Sequence, residues 1–235
     1  MKSLEIWILK KQMAIQSTTK IKEIFTSIQG EGPYIGQKHI FVRFCKCNLN
    51  CAFCDTDFNI ENALGYSIDE LFNKLNKIDC KVISFTGGEP LVDVEFLETF
   101  LKKYKTKLNK KIYLETNGTM VEQLAKIIDL IDVVSMDIKL ATATKQVNQF
   151  KANEEFLKIA TKKEAFIKVV FDKSITQEEI DYCATLAKKL DVLLILQPKM
   201  PMDKDLDIEN IFEKFYKKYE NIRLIPQVHK YLNVM

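Results

Sequence analysis

The sequence predicts an α/β protein, built as an abridged, incomplete (β/α) barrel with about six parallel strands. Three observations carry this. From residue 66 onward, amphipathic helical stretches alternate with short apolar β-rich runs, the signature of repeated βα units around a parallel sheet. Each unit takes roughly 20–35 residues, as βαβ units do. The chain has 235 residues, whereas a closed eight-stranded barrel usually takes about 250 before any added motifs.

The elements follow in order. An apolar strand is predicted over residues 39–44. Ser67 and Glu70 then stand in capping-box spacing before Ile68, Leu71, Phe72 and Leu75, which recur at helical period. A strand over 82–86 leads to a helix whose stripe is Val92, Phe96, Phe100 and Tyr104, flanked by Leu97 and Leu101. The alternation continues with a strand over 112–116, a helix over 121–130, a strand over 133–138, a helix near 154–162 and a strand over 166–171. Thr176 and Glu179 form a second capping box, and Ile180, Cys183, Ala184 and Ala187 line the apolar face of the helix they open, so Cys183 reads as a core residue. A strand over 192–197, a helix carrying Ile208, Ile211, Phe212, Phe215 and Tyr216, and a strand over 223–229 complete the pattern. No Pro/Gly/Ser-rich linker or internal repeat divides residues 20–235, which read as a single domain. Residues 1–19 read as an N-terminal appendage, with Met13 an alternative start to Met1.

Composition sets the class. Apolar residues make up 47% and charged residues 29%, which excludes a disordered or collagen-like chain. The 35 Lys and Arg against 32 Asp and Glu, a net charge of +3, lack the bias of a dedicated nucleic-acid binder, so no direct nucleic-acid partner is expected. The longest apolar runs, such as residues 192–196, fall far short of the ~20 residues that span a bilayer. Residues 6–9 are too short for a signal-peptide core. A cytoplasmic protein with no membrane partner is the expectation. Six lysines lie within residues 102–111. Such a run is ordinarily a solvated helix end, and an acidic electron donor docking on it is the alternative. His39, a lone histidine at a strand start, receives no role.

Four of the six cysteines, Cys45, Cys47, Cys51 and Cys54, fall in one short segment. In a reducing compartment such clustering points to metal or cofactor ligands rather than to disulfides. The segment CKCNLNCAFCDT follows an apolar strand, and Cys47, Cys51 and Cys54 have the spacing C-x3-C-x2-C. Three thiolates on one loop can hold three irons of a cubane cluster and leave the fourth iron open to a ligand. The alternative is a non-catalytic zinc site, or a saturated electron-transfer cluster, that uses all four cysteines. Zinc sites usually join two separated ligand pairs, and this chain has no second C-x2-C and two histidines. Cys45 is expected to be a free, strand-borne thiol. Thr86-Gly87-Gly88-Glu89-Pro90 ends a predicted strand, where glycines admit a close ligand and barrel enzymes gather their sites.

The cysteine spacing resembles the signature of the radical S-adenosylmethionine enzymes, and the resemblance extends over most of the chain. It implies a barrel of that type, a [4Fe-4S] cluster on Cys47, Cys51 and Cys54, and S-adenosylmethionine as cofactor. It also implies that Phe53, Gly87, Gly88, Glu89, Glu115, Asn117, Ser135, Asp137, Lys139 and Gln197 bind S-adenosylmethionine, with the backbone of the Gly87-Gly88-Glu89 turn and Glu89 holding its amino group.

The branch is marked by EIFTSIQGEGPYIG at residues 23–36, by Arg43, by Cys54-Asp55-Thr56 and by Pro226-Gln227-Val228-His229-Lys230. Together they resemble the 7-carboxy-7-deazaguanine synthase family of queuosine and deazapurine biosynthesis, a pathway that feeds tRNA modification. The resemblance implies a lyase that converts 6-carboxy-5,6,7,8-tetrahydropterin to 7-carboxy-7-deazaguanine with loss of ammonia. It implies that a deoxyadenosyl radical takes and returns a hydrogen, so that S-adenosylmethionine is regenerated. It further implies Mg²⁺ on Thr56, pterin binding by Gln29, Glu31, Gly32, Arg43, Thr86 and His229, a homodimer, and a flavodoxin- or ferredoxin-type electron donor. The residue types suit a pterin: Glu and Gln on a Gly-flanked loop can pair with its 2-amino-pyrimidinone edge, and Arg43 offers a planar fork to its carboxylate. A glycyl-radical activase shares the cysteine spacing and a GGEP-like turn, but leaves residues 29–32 and 54–56 unexplained.

Overall fold

The computed structural model describes residues 18–52, 54 and 60–234. One nine-stranded sheet organises the chain, in the order β3-β1-β2-β4-β5-β6-β7-β8-β9. β2 (Lys38–Phe44), β4 (Val82–Gly87), β5 (Lys111–Thr116), β6 (Val133–Ile138), β7 (Glu164–Phe171), β8 (Leu193–Pro198) and β9 (Ile222–Leu224) pair in parallel. The sheet does not close on itself, as the short chain requires. β1 (Thr18–Ile28) and β3 (Leu64–Ser67) extend it antiparallel beside β2. The sequence reading took the segment containing β1 as a motif alone: after Lys20-Ile21-Lys22 the adjacent Glu23 breaks the period-two alternation, and Ile24-Phe25 are apolar neighbours. β1 begins before residue 20, so Thr18 and Thr19 pair with β3 inside the sheet.

The helices are α1 (Ile68–Asn76), α2 (Val94–Leu108), α3 (Val121–Ile127), α4 (Ala141–Thr144), α5 (Phe150–Ala160), α6 (Gln177–Leu190), α7 (Ile208–Tyr216) and α8 (Val228–Leu232). Both expected capping boxes form, Ser67 with Glu70 on α1 and Thr176 with Glu179 on α6. Two expectations are corrected. α5 starts at Phe150 rather than near Glu154, because the Phe150 ring stacks on Tyr182 of α6 at 3.7 Å. The last strand stops at Leu224: Pro226 interrupts the ladder, and Val228–Leu232 is helical.

Strand side chains alternate between two environments. Outward residues such as Ile83, Phe85, Leu114 and Met136 pack under Leu97 and Phe100 of α2, Leu124 of α3 and Phe156 of α5, all fully buried. Cys183 is fully buried in this layer as expected. The inward residues are apolar in the lower half, where Val82, Tyr113, Val133, Phe166 and Ile195 pack with Tyr34. Toward the C-terminal strand ends they turn polar: Arg43 and Thr86 are register partners, as are Asp137 and Lys168. Sheet polarity thus concentrates chemistry at one edge, as in barrel enzymes. No helix among the described residues is long and apolar enough to cross a membrane.

Candidate active site

The loop after β1 enters the barrel rather than skirting it. Glu31 ion-pairs with Lys168 of β7, Gly32 at φ 65° lies against the Phe166 ring, and the Tyr34 hydroxyl donates to Glu164 at 2.7 Å and accepts from Lys111 at 3.0 Å. A Cβ at Gly32 would stand 2.9 Å from that ring, so the descent requires glycine. Tyr34 closes the floor, and Gln29 and Glu31 remain at the level of the polar layer.

A cavity lies over that layer, and Cys47, Cys51 and Cys54 line it from the cysteine loop. Cys45 does not: it is buried in the core at the end of β2. A site that used all four cysteines would need Cys45 to leave this position. The loop is tied down at several points. Leu49 N–H donates to Cys47 Sγ at 3.4 Å, Ala52 N–H to Thr144 O at 2.9 Å, and Gln146 Nε2 to Asn50 O at 2.8 Å. The stretch after β6, through Thr144 and Gln146, thus buttresses this loop. Burial pushes the Cys47 and Cys51 thiols up, with the Leu49 N–H acting against this at Cys47. Three thiols on the wall of one cavity fit a cluster that takes each thiolate on a different iron.

Gly87 and Gly88 bring the β4 turn against this loop. Gly88 N–H donates to Phe44 O at 3.1 Å and Glu89 N–H to Lys46 O at 2.7 Å. Glu89 itself does not line the cavity. It is 1% exposed, and its carboxylate accepts from Leu91 N–H, Thr116 Oγ1 and Asn117 N–H at 2.7–3.1 Å. Burial raises its pKa to about 7 against those three donors. Glu89 thus ties the turn to the end of β5. Asn117 carries the connection onward, donating from Nδ2 to Asn48 Oδ1 at 2.8 Å.

Three of the residues expected to bind substrate, Gln29, Glu31 and Thr86, are linked in one hydrogen-bonded chain through Glu115. Gln29 Nε2 donates to Glu115 Oε1 at 2.9 Å, Thr86 Oγ1 donates to Glu115 Oε2 at 2.8 Å, and Glu31 N–H donates to Gln29 Oε1 at 3.1 Å. Gln197 and Gln227 donate to Glu31 Oε1 at 3.2 and 2.7 Å. Glu115 and Gln197, expected among the cofactor ligands, are therefore bonded to the substrate set. Lys139 donates to Asp137 Oδ2 at 2.8 Å. Asp137 Oδ1 and Gln197 Oε1 are buried acceptors that have no hydrogen-bond partner. Arg43 lines the cavity with its Nε bonded to Glu23 at 2.6 Å and its guanidinium over the Phe25 ring. His229 reaches the cavity from α8, which packs on Gly30 through Val228 N–H to Gly30 O at 3.0 Å.

Burial opposes the Glu31 charge, yet the Lys168 charge and the bonds from Gln227 and Lys168 hold its pKa down to about 2. Two other expected residues miss the cavity wall. Ser135 sits one layer down, bonded to the Tyr113 hydroxyl, and Gly32 lies beneath Glu31. Phe53 and Thr56 lie outside the described residues. Sequence reasoning missed Lys168, and it named Gln227 in the C-terminal motif without giving it a binding role. The signal for Lys168 was present: a lone lysine in the apolar strand 166–171 is buried only with a partner.

The residue 102–111 run is a helix end, as its composition suggested. Lys102, Lys103 and Lys105 pair with Glu98, Asp69 and Asp132, and Lys110 caps carbonyls of Ile78 and Cys80. It leads into the start of β5, opposite the cysteine loop.

Residues 41–215 match the family model described as the radical SAM superfamily. The 7-carboxy-7-deazaguanine synthase of Archaeoglobus fulgidus is 33% identical over 90% of this chain and 97% of its own length. This chain belongs to that family. The Geobacter sulfurreducens 7-carboxy-7-deazaguanine synthase is 30% identical over 91% of this chain and 96% of its own. The crystal structure of QueE from Escherichia coli shares the fold with a TM-score of 0.63 at 20% identity, covering 90% of this chain and 95% of that one. As a 7-carboxy-7-deazaguanine synthase family member, the chain has the family's open α/β sheet and its radical SAM domain, which implies a [4Fe-4S] cluster and S-adenosylmethionine.

Proposed function

We propose that this chain is a lyase converting 6-carboxy-5,6,7,8-tetrahydropterin to 7-carboxy-7-deazaguanine and ammonia. One observation carries the reading: Thr86, Glu115, Gln29 and Glu31 form a hydrogen-bonded polar chain on the wall of the cavity that Cys47, Cys51 and Cys54 also line. When bound at those thiols, the cluster together with S-adenosylmethionine supplies one-electron chemistry that starts hydrogen abstraction.

The chain's own residues do the rest. Glu31, held as a carboxylate, is acceptor-only and suits the N–H donors of a 2-amino-pyrimidinone edge, and the Gln29 amide offers both a donor and an acceptor. Arg43 brings positive charge and donors to a ring carboxylate, and a His229 ring nitrogen can add a hydrogen bond. The unpartnered acceptors Asp137 Oδ1 and Gln197 Oε1 suit ligand hydroxyl or amino groups. Tyr34, Tyr113 and Phe166 close the floor and keep water from entering below. Mg²⁺ on Thr56, a homodimer, cytoplasmic location and an acidic flavodoxin- or ferredoxin-type donor complete the reading. The exposed Leu224, Tyr231 and Leu232 near edge strand β9 support association of two copies.

The test is anaerobic. Protein reconstituted with iron and sulfide is supplied with reductant, Mg²⁺, S-adenosylmethionine and the pterin, and products are followed by mass spectrometry. Formation of 7-carboxy-7-deazaguanine without stoichiometric loss of S-adenosylmethionine is the expected result. Accumulation of 5′-deoxyadenosine with no deazaguanine would overturn the substrate and point to a protein substrate instead.

A further inference from the structure

We propose that Lys168 is a positioning residue of the pocket: it clamps the Glu31 carboxylate and ties the loop over residues 29–32 to β6, an assignment that rests on the pterin reading above. Lys168 is a buried ammonium in the middle of β7, its side chain 8% exposed. It ion-pairs with Glu31 from the loop and with Asp137 Oδ2 of β6 at 3.4 Å. The other charged or titratable groups facing this pair are Glu115 and Tyr113 of β5, Lys139 of β6 and His229 of α8. Lys139 is already donated to Asp137, so Lys168 is the ammonium in contact with Glu31.

The flanking residues Ile167 and Val169 point into the outer core. Alternation therefore turns residue 168 inward, where an unpaired ammonium would be costly and two anions offset it. Glu31 Oε1 takes the two amides of Gln197 and Gln227, and Oε2 takes Lys168. Amides without the ammonium leave a buried carboxylate uncompensated. Held in place by those amides, it takes up a proton and presents an O–H where the substrate needs an acceptor.

The variant Lys168→Met keeps the stem and removes the charge. Its expected kcat/KM on the pterin falls about 30-fold or more at pH 7, mainly through KM. The rise in KM with kcat little changed is the readout that a purely structural role would not move; a second, the pH dependence of thermal unfolding in the reconstituted protein, reports the Lys168–Glu31 pair itself. In the wild-type chain Glu31 lies below its ordinary value of 4.5, so its contribution to stability is present above that pH and is lost toward pH 2. Without Lys168, burial raises it, and its contribution is lost as pH rises. The gap in Tm between wild type and Lys168→Met should therefore widen from about pH 4.5 to 7. In the background Glu31→Gln the same substitution should give no such widening. A gap that stays constant with pH, or an unchanged KM, overturns the proposal. Failure of the wild-type chain to convert the pterin overturns the substrate reading, and the unfolding comparison still decides on Lys168.

Discussion

Gly30 lies directly against His229: a Cβ on Gly30 would stand 2.4 Å from His229 Nδ1 and 2.6 Å from its Cβ. The contact joins the loop that carries Gln29 and Glu31 to the C-terminal helix that carries Gln227 and His229. Two sequence motifs at opposite ends of the chain thereby become one wall of the site.

Gly30→Ala should displace α8, because the clash reaches the His229 Cβ and a rotamer change cannot relieve it. The expected loss in kcat/KM is about 10-fold or more, greater than that of His229→Ala, with global stability changed by less than about 2 kcal/mol. Steady-state kinetics on both variants and on the pair His229→Gly with Gly30→Ala check this; the pair should recover part of what Gly30→Ala loses.

The corresponding contact at the other wall is backbone on both sides. A Cβ at Gly88 would lie 2.1 Å from Lys46 O, at the root of the cysteine loop. Gly88→Ala should cost about 2 kcal/mol or more, since the carbonyl must move and its bond from Glu89 N–H is strained. Iron bound per chain after anaerobic reconstitution should fall in parallel with the denaturation midpoint.

The two cysteines at the end of β2 should behave oppositely. Cys45→Ala removes a small buried group and should cost about 1 kcal/mol while the cluster's absorbance and iron content stay as in the wild-type chain. Cys47→Ala removes a thiol from the cavity wall and should abolish cluster assembly. Loss of iron from Cys45→Ala would return Cys45 to the ligand set.

His39 sets an acid limit on stability. Its ring is buried among Tyr34, Phe41 and Tyr113, with Nδ1 2.7 Å from Ser84 Oγ and Nε2 unpartnered. Burial, helped by the Lys111 charge, lowers its pKa from 6.5 to about 4. A depressed histidine contributes stability above the unfolded value, so that contribution should be present at pH 7 and drain away as pH falls from about 6.5 through 4. Urea midpoints measured down that range should drop for the wild-type chain. In His39→Gln, which has no titrating ring, they should drop less.

Much of the fold was legible because βα units are written in local periodicity: the capping boxes at Ser67 and Thr176 and the stripe through Phe96, Phe100 and Tyr104 need no distant partner to be read. The antiparallel extension was not, because Lys22-Glu23 and Ile24-Phe25 break the period-two alternation of Thr18–Ile28 and its pairing with Leu64–Ser67 is a long-range choice. The site divides the same way. Spacing alone marked Cys47, Cys51 and Cys54 as a set, and family pattern marked Gln29, Glu31, Arg43 and His229. Whether a carboxylate faces a ligand or the protein is a matter of which donors surround it. The sequence placed Glu89 and Glu115 together as cofactor residues, and the folded chain separates them: Glu89 is consumed by the turn at Leu91 and the end of β5, while Glu115 bridges Gln29 and Thr86 in the cavity.

By itself, then, the sequence determined the βα alternation, the open parallel sheet and the three-thiol loop, because helix and strand periods and ligand spacing are properties of neighbours along the chain. Only the tertiary structure decided that Cys45 turns into the core, that residues 29–34 descend through the barrel, and that Lys168 meets Glu31. Those outcomes depend on burial and on charge pairs between residues far apart in sequence, which no local pattern encodes.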